Sequence, residues 1–278
     1  MAIRPIELPE ISAAEANGET RTIYREIEAA LGVRLVNLVY RHLATFPGAL
    51  EWAWGTVGDA FGRGEIAVAA QEVTRRLTDA APSTPPVSLK AASLGISDAA
   101  AVRATLQAYN RANPMNAVSI RIVSLALTAG RPADRIKVAR CDLPDLPDLL
   151  PIPPMEQMSD ELRNILSVLA CQATGGRSPV VPSLFRHFTG YPRLLQSISD
   201  WLGPIAAEGE IDALSDEIAA AADMAAARVF HDLPAHGADA FLPDEETRAA
   251  LEETTRIFPS AICRMIVLGG MLSVALRD

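Results

Sequence analysis

Val36 to Ile66 reads VNLVYRHLATFPGALEWAWGTVGDAFGRGEI, and Val181 to Ile211 reads VPSLFRHFTGYPRLLQSISDWLGPIAAEGEI. Laid over each other without a gap, at a shift of 181 − 36 = 145 residues, the two stretches match at Arg41/Arg186, His42/His187, Pro47/Pro192, Leu50/Leu195 and Gly58/Gly203. They match again where Gly64, Glu65 and Ile66 lie over Gly209, Glu210 and Ile211. The same shift carries RATLQAYNRANP (Arg103 to Pro114) onto RAALEETTRIFP (Arg248 to Pro259). Self-similarity at one fixed spacing is the signature of a duplicated unit. The chain is therefore read as two tandem helical repeats packed on each other.

Working outward, TRTIYREIEAAL before the first core stretch puts Ile23, Ile27, Ala30 and Leu31 on one helical stripe that ends at Gly32. A short helix is expected from about Val36 to Ala44, then a longer one with Thr45 as its cap and Pro47 in its first turn, carrying Trp52, Trp54 and Phe61. The two tryptophans are two positions apart, so at most one is expected to point fully inward. Another amphipathic helix follows GEI, and the prolines of PSTPPVSL mark a loop. The last two helices of the unit are expected to meet at Asn113-Pro114, because proline disfavours a helical residue before it. The second half repeats this plan, with Phe258-Pro259 as the corresponding joint. No run of β-branched residues alternates with period two. The fold class is all-α, about six helices per repeat: residues 1–130 form the first repeat, 131–156 a proline-rich linker containing DLPDLPDLLPIPPMEQM, and 157–278 the second repeat.

Composition narrows the class. In 278 residues, 49% are hydrophobic and 21% charged, which suits a packed globular protein. The net charge of −9 and pI near 5.0 argue against nucleic-acid and anionic-membrane partners. Cys141, Cys171 and Cys263 are odd in number and far apart, so neither a disulfide framework nor a thiol-metal motif is expected. The N-terminus lacks the apolar segment of a secretion signal, and the run Met265 to Leu276 is too short to span a bilayer. A cytoplasmic protein is expected, and a homodimer is the default if it associates.

LVNLVYRHLATFPGALEWAW, then LQAYNRANP, the proline linker and SLFRHFTGYPRLLQ, together resemble the group I 2-haloacid dehalogenases, which act on both enantiomers of small 2-halo acids. The resemblance implies an all-α pseudo-dimer with its site in a channel between the repeats. It also implies a hydrolase of carbon-halide bonds in which water attacks directly, activated by an aspartate and an asparagine, without covalent ester, metal or cofactor. The asparagine carries over as Asn113. The aspartate position, after Ser183, falls on Leu184, and two large apolar lining positions fall on Leu35 and Leu38. The scaffold and the asparagine are carried over without the general base, which in such sites contributes about 10²–10⁴ in rate. A weaker likeness, to the helical unit of alkylhydroperoxidase-D-like proteins, lacks their CxxC and concerns the fold alone.

His187 lies three positions after Leu184, on the same expected helix, and an imidazole is suited to deprotonate water. It is therefore the replacement candidate beside Asn113, although its mirror in His42 makes packing between the halves the simpler explanation. Asn37 is polar within LVNLV and either faces the channel or is solvated. Arg41 and Arg186 are suited to grip a carboxylate together, or to pair with acidic residues such as Glu65 or Glu210. The ligand is thus a small carboxylate or an apolar molecule. Against the hydrolase stands a second reading, a non-dehalogenating relative in which Leu35, Leu38 and Leu184 line a greasier cavity.

Overall fold

The computed structural model describes residues 8–80, 87, 92–129, 146–150, 152–176, 181–233 and 242–276. These residues form ten α-helices and no strand. The first half supplies α1 (Gly18–Leu31), α2 (Leu38–Leu43), α3 (Ala49–Gly62), α4 (Glu65–Ala80) and α5 (Ile96–Ala129). The second supplies α6 (Asp160–Thr174), α7 (Ser183–His187), α8 (Pro192–Ala207), α9 (Glu210–Asp232) and α10 (Glu245–Ala275). Subtracting 145 from the starts of α7 and α9 gives 38 and 65, the starts of α2 and α4. Helix α5 packs on α10 and α4 on α9, so the closest neighbours are counterparts in the repeated sequence.

Local chemistry explains most of the boundaries. Helix α1 ends at Gly32, whose φ of 61° is left-handed and costs glycine little. Ser159 and Asp244 accept hydrogen bonds from Leu162 N–H and Thr247 N–H, capping α6 and α10. Pro192 occupies the first turn of α8, as the repeat predicts. Its counterpart does not: the cap of α3 is Gly48, at φ 77°, Pro47 stays outside the helix, and the Thr45 hydroxyl is spent on the His42 carbonyl at 2.7 Å.

The larger correction concerns the two internal prolines. Pro114 and Pro259 lie inside continuous helices of 34 and 31 residues rather than between helices, so the described residues of each half form five α-helices where about six are expected. An interior proline costs about 3 kcal/mol. In α5 that cost is offset by burial, since residues 112–123 are buried on every side. One hydrophobic core runs through both halves, taking in Ile23, Trp54, Phe61 and Ile120 with Phe185, Leu195 and Ile266. Both Trp52 and Trp54 are buried, because α3 has neighbours in α1, α4, α5 and α10. By length and apolar composition α10 meets the requirement for crossing a bilayer, yet 56% of its most apolar window is buried against the protein.

Most of the expected linker, like Cys141, lies outside the described residues. Within 146–150, Leu146, Leu149 and Leu150 pack on the core. The segment before α1 is docked as well: Ile11 N–H donates to the Arg41 carbonyl at 3.0 Å and the Tyr24 hydroxyl to the Ile11 carbonyl at 2.8 Å.

Candidate functional site

Helices α2 and α7 are too short to stand alone and are held by what surrounds them. Their N-terminal ends, with α5, α6 and α10, line a half-open cavity of about 70 Å³. The sequence repeat maps onto its wall. Asn37, Leu38 and Val39 line it from one half, and Pro182, Ser183 and Leu184, the residues 145 positions on, line it from the other. Asn113 and Phe258 form a further such pair.

Asn37 is the N-cap residue of α2, where an asparagine oxygen ordinarily accepts from the first turn. It makes no such bond. Its Nδ2 instead donates to Asn113 Oδ1 at 3.0 Å, across a buried contact between α2 and α5. This leaves Asn37 Oδ1 buried without a protein partner. Tyr109, one helical turn before Asn113, shares the wall. Its hydroxyl is near Ser183 but outside hydrogen-bonding geometry with any protein group. Burial pushes this phenol far above its usual range, so it stays neutral. Ser183 accepts from Arg41 Nη2 at 3.1 Å. Leu184 is fully buried in the wall. Among the described residues no Asp, Glu, Lys, Arg or His lines the cavity.

The remaining expected residues sit elsewhere. A second, more open cleft of about 290 Å³ is lined by Leu35, Arg41, Leu150 and His187 among others. Leu35 thus belongs to this cleft and not beside Leu38 and Leu184. Arg41 and Arg186 do converge on a carboxylate, but it is the protein's own: Glu10 lies 3.2 Å from Arg41 Nη2 and 3.3 Å from Arg186 Nη1. Glu65 pairs with Arg63 at 2.9 Å.

His187 turns away from the cavity. Its Nδ1 is hydrogen-bonded to the Leu150 carbonyl, its ring meets Tyr109 edge to face at 5.5 Å, and Nε2 is buried without a partner. Burial lowers its pKa to about 4, with Arg41 and Arg186 adding to the shift and the Leu150 bond opposing it. His42 does the corresponding work in the first half, with Nδ1 bonded to the Pro9 carbonyl at 2.8 Å. Each histidine ties down a non-helical segment that precedes its repeat, so placement and basicity both leave His187 poorly suited to activate water in the cavity.

Tyr109, Val39, Phe258 and Glu10 were not singled out as site residues by the sequence. A signal existed for two of them. Tyr109 precedes Asn113 by four residues in a helical run, and Phe258 is the repeat partner of Asn113 (113 + 145 = 258). Among the described residues no three His, Cys, Asp or Glu side chains cluster as a metal site.

No protein-family model matches the chain. A configuration-inverting 2-haloacid dehalogenase from Alcaligenes xylosoxydans xylosoxydans is 28% identical over 225 residues, which cover 77% of this chain and 75% of that one. Among solved structures, a D-2-haloacid dehalogenase mutant superposes with a TM-score of 0.73 at 15% identity, and a D-2-haloacid dehalogenase in complex with L-LA with 0.72 at 14%. Each comparison covers 98% of both chains. The structural likeness establishes the fold, and the curated and structural neighbours together point to the 2-haloacid dehalogenases.

Proposed function

We propose that the chain is a 2-haloacid dehalogenase-type protein, a pseudo-dimer of two repeats, whose small-molecule site is the cavity between α2, α5 and α7. The scaffold is that of a hydrolase acting on carbon-halide bonds by direct attack of water, with Asn113 as the residue that orients water. The observation that carries the reading is Leu184. It fills the wall directly after Ser183, at the place of the aspartate that activates water in the group I enzymes, and a leucine accepts no proton. Among the described residues water in this cavity therefore meets no general base, and hydrolysis of 2-haloacids falls by about 10²–10⁴ or more. The protein is read as a cytoplasmic, cofactor-independent relative that binds a small ligand and has lost the ordinary reaction.

Halide release from D- and L-2-chloropropionate tests this. Wild type is expected to be silent, Leu184→Asp to release halide from one or both enantiomers, and Leu184→Asp combined with Asn113→Ala to be silent again. Halide release by wild type at the rate of Leu184→Asp would overturn the proposal.

A further inference from the structure

We propose that Asn37 is a positioning residue: by donating to Asn113 Oδ1 it fixes which end of the Asn113 amide meets the cavity, so that Asn113 offers N–H donors there and not its carbonyl oxygen. This rests on reading Asn113 as the residue that orients water and adds the group that orients Asn113.

An asparagine amide is two-sided. Its terminal torsion has a broad, roughly two-fold well, and its two ends are opposite in hydrogen-bonding sense. Left to itself, a wall asparagine takes either orientation. The bond from Asn37 Nδ2, at 3.0 Å, takes up Asn113 Oδ1. Among the described residues Asn113 Nδ2 has no partner, and unlike Asn37 Oδ1 it is not shut off from the accessible space of the cavity. Position 37 also settles which of the two amides donates. Asn37 is the N-cap residue of α2, where the leading N–H groups of a helix favour a side-chain oxygen over a nitrogen. Its nitrogen is therefore the end left for Asn113.

Two observations set this pair apart from ordinary packing. The repeat does not need it, since the counterparts of Asn37 and Asn113 are Pro182 and Phe258, whose side chains form no hydrogen bond and yet line the same cavity. The bond is also made at a loss elsewhere. Asn37 caps nothing with its side chain, and its own Oδ1 is buried without a protein partner.

For a water in the cavity this orientation sets the geometry of attack. An N–H of Asn113 engages one lone pair of the water oxygen and leaves the other free. With a carboxylate introduced at position 184, the free lone pair forms the C–O bond, halide departs with the electrons of the carbon–halogen bond, and a water proton passes to the carboxylate. The reversed amide would hold the water by one of its protons and leave the attacking lone pair undirected.

The test begins with the wild-type chain. The side-chain amide signals of Asn37 and Asn113, identified by their loss in Asn37→Ser and Asn113→Ser, are followed by NMR after transfer to deuterated buffer at pH 7.5. Asn113 is expected to exchange at least about tenfold faster than Asn37. Asn37→Asp keeps the size of the side chain but offers only acceptors, so it draws the Asn113 N–H groups away from the cavity and is expected to slow their exchange about tenfold. In the Leu184→Asp background, Asn37→Asp is expected to lower kcat for 2-chloropropionate about 10–10²-fold while KM stays within about threefold, a split that loss of packing does not produce. Equal exchange at the two asparagines, or slower exchange at Asn113, would overturn the positioning role, as would an unchanged kcat. If Leu184→Asp releases no halide at all, the hydrolase reading falls, and the exchange rates decide the orientation of Asn113 by themselves.

Discussion

Arg41 and Arg186, 186 − 41 = 145 positions apart, hold the two oxygens of a single carboxylate between them. The repeat brings the two guanidiniums together, and Glu10, from the segment before α1, prevents their mutual repulsion. Both arginines are more than nine-tenths buried, so losing the shared anion removes the carboxylate that two desolvated cations face. Glu10→Gln is expected to lower the unfolding free energy by about 3 kcal/mol, measured by urea denaturation. Replacing Glu10, Arg41 and Arg186 together by Met is expected to recover most of that loss, because the burden lies in the unpaired charge and not in the missing contacts.

His187 makes acid stability testable. Its folded-state pKa, about 4, lies below the unpaired value near 6.5. Between these values the unfolded chain binds a proton that the folded chain refuses, so stability falls as the pH drops from 6.5 to 4. The full effect is about 3 kcal/mol. In His187→Gln this share of the acid destabilisation should vanish. Urea midpoints of wild type and variant, compared at steps from pH 7 to pH 4, would measure the difference. Parallel curves would show that His187 is not a buried neutral group.

Leu184→Asp places a carboxyl in an apolar wall, where burial raises its pKa above the ordinary 3.9 or so. As a general base it works only when deprotonated. Halide release by this variant is therefore expected to climb with pH through a midpoint above 5, whereas a solvated aspartate would give a flat profile over the same range.

Gly269 on α10 packs against Asn110 on α5. A Cβ there would stand 2.0 Å from Asn110 Oδ1, while Asn110 Nδ2 donates to the Gly269 carbonyl at 3.1 Å and to Ser273 Oγ at 2.7 Å. Gly269→Ala must displace Asn110 and break these bonds, at a cost of about 1–3 kcal/mol. In an Asn110→Ala background the same substitution should cost much less, and thermal denaturation of the four combinations measures the coupling.

The helical class was readable because the repeat is long and its turn chemistry local: Gly32 stops α1, Pro192 starts α8, and both act through their own backbone. Pro114 and Pro259 misled for the opposite reason. A local rule places a boundary there, and burial of the surrounding helix outweighs it. At the site, Asn37, Leu38, Asn113, Ser183 and Leu184 lie on one cavity wall, all within stretches whose sequence stood out. Leu35 was placed by the family resemblance and His187 by its nearness to Leu184 in sequence, and the turn of the chain carries both into the neighbouring cleft. Nothing local to Glu10 announces two arginines, one 31 and the other 176 residues away, because such a contact exists only once the tertiary structure is formed.

Val39 and Leu184 are one position of the repeat written twice, and both face the cavity. A proton acceptor can therefore be introduced at either of two addresses, one on α2 and one on α7. The duplication makes the geometry of attack a matter of choosing between them, so Val39→Asp and Leu184→Asp should be raised as a pair and compared for which mirror form of a chiral halide each consumes.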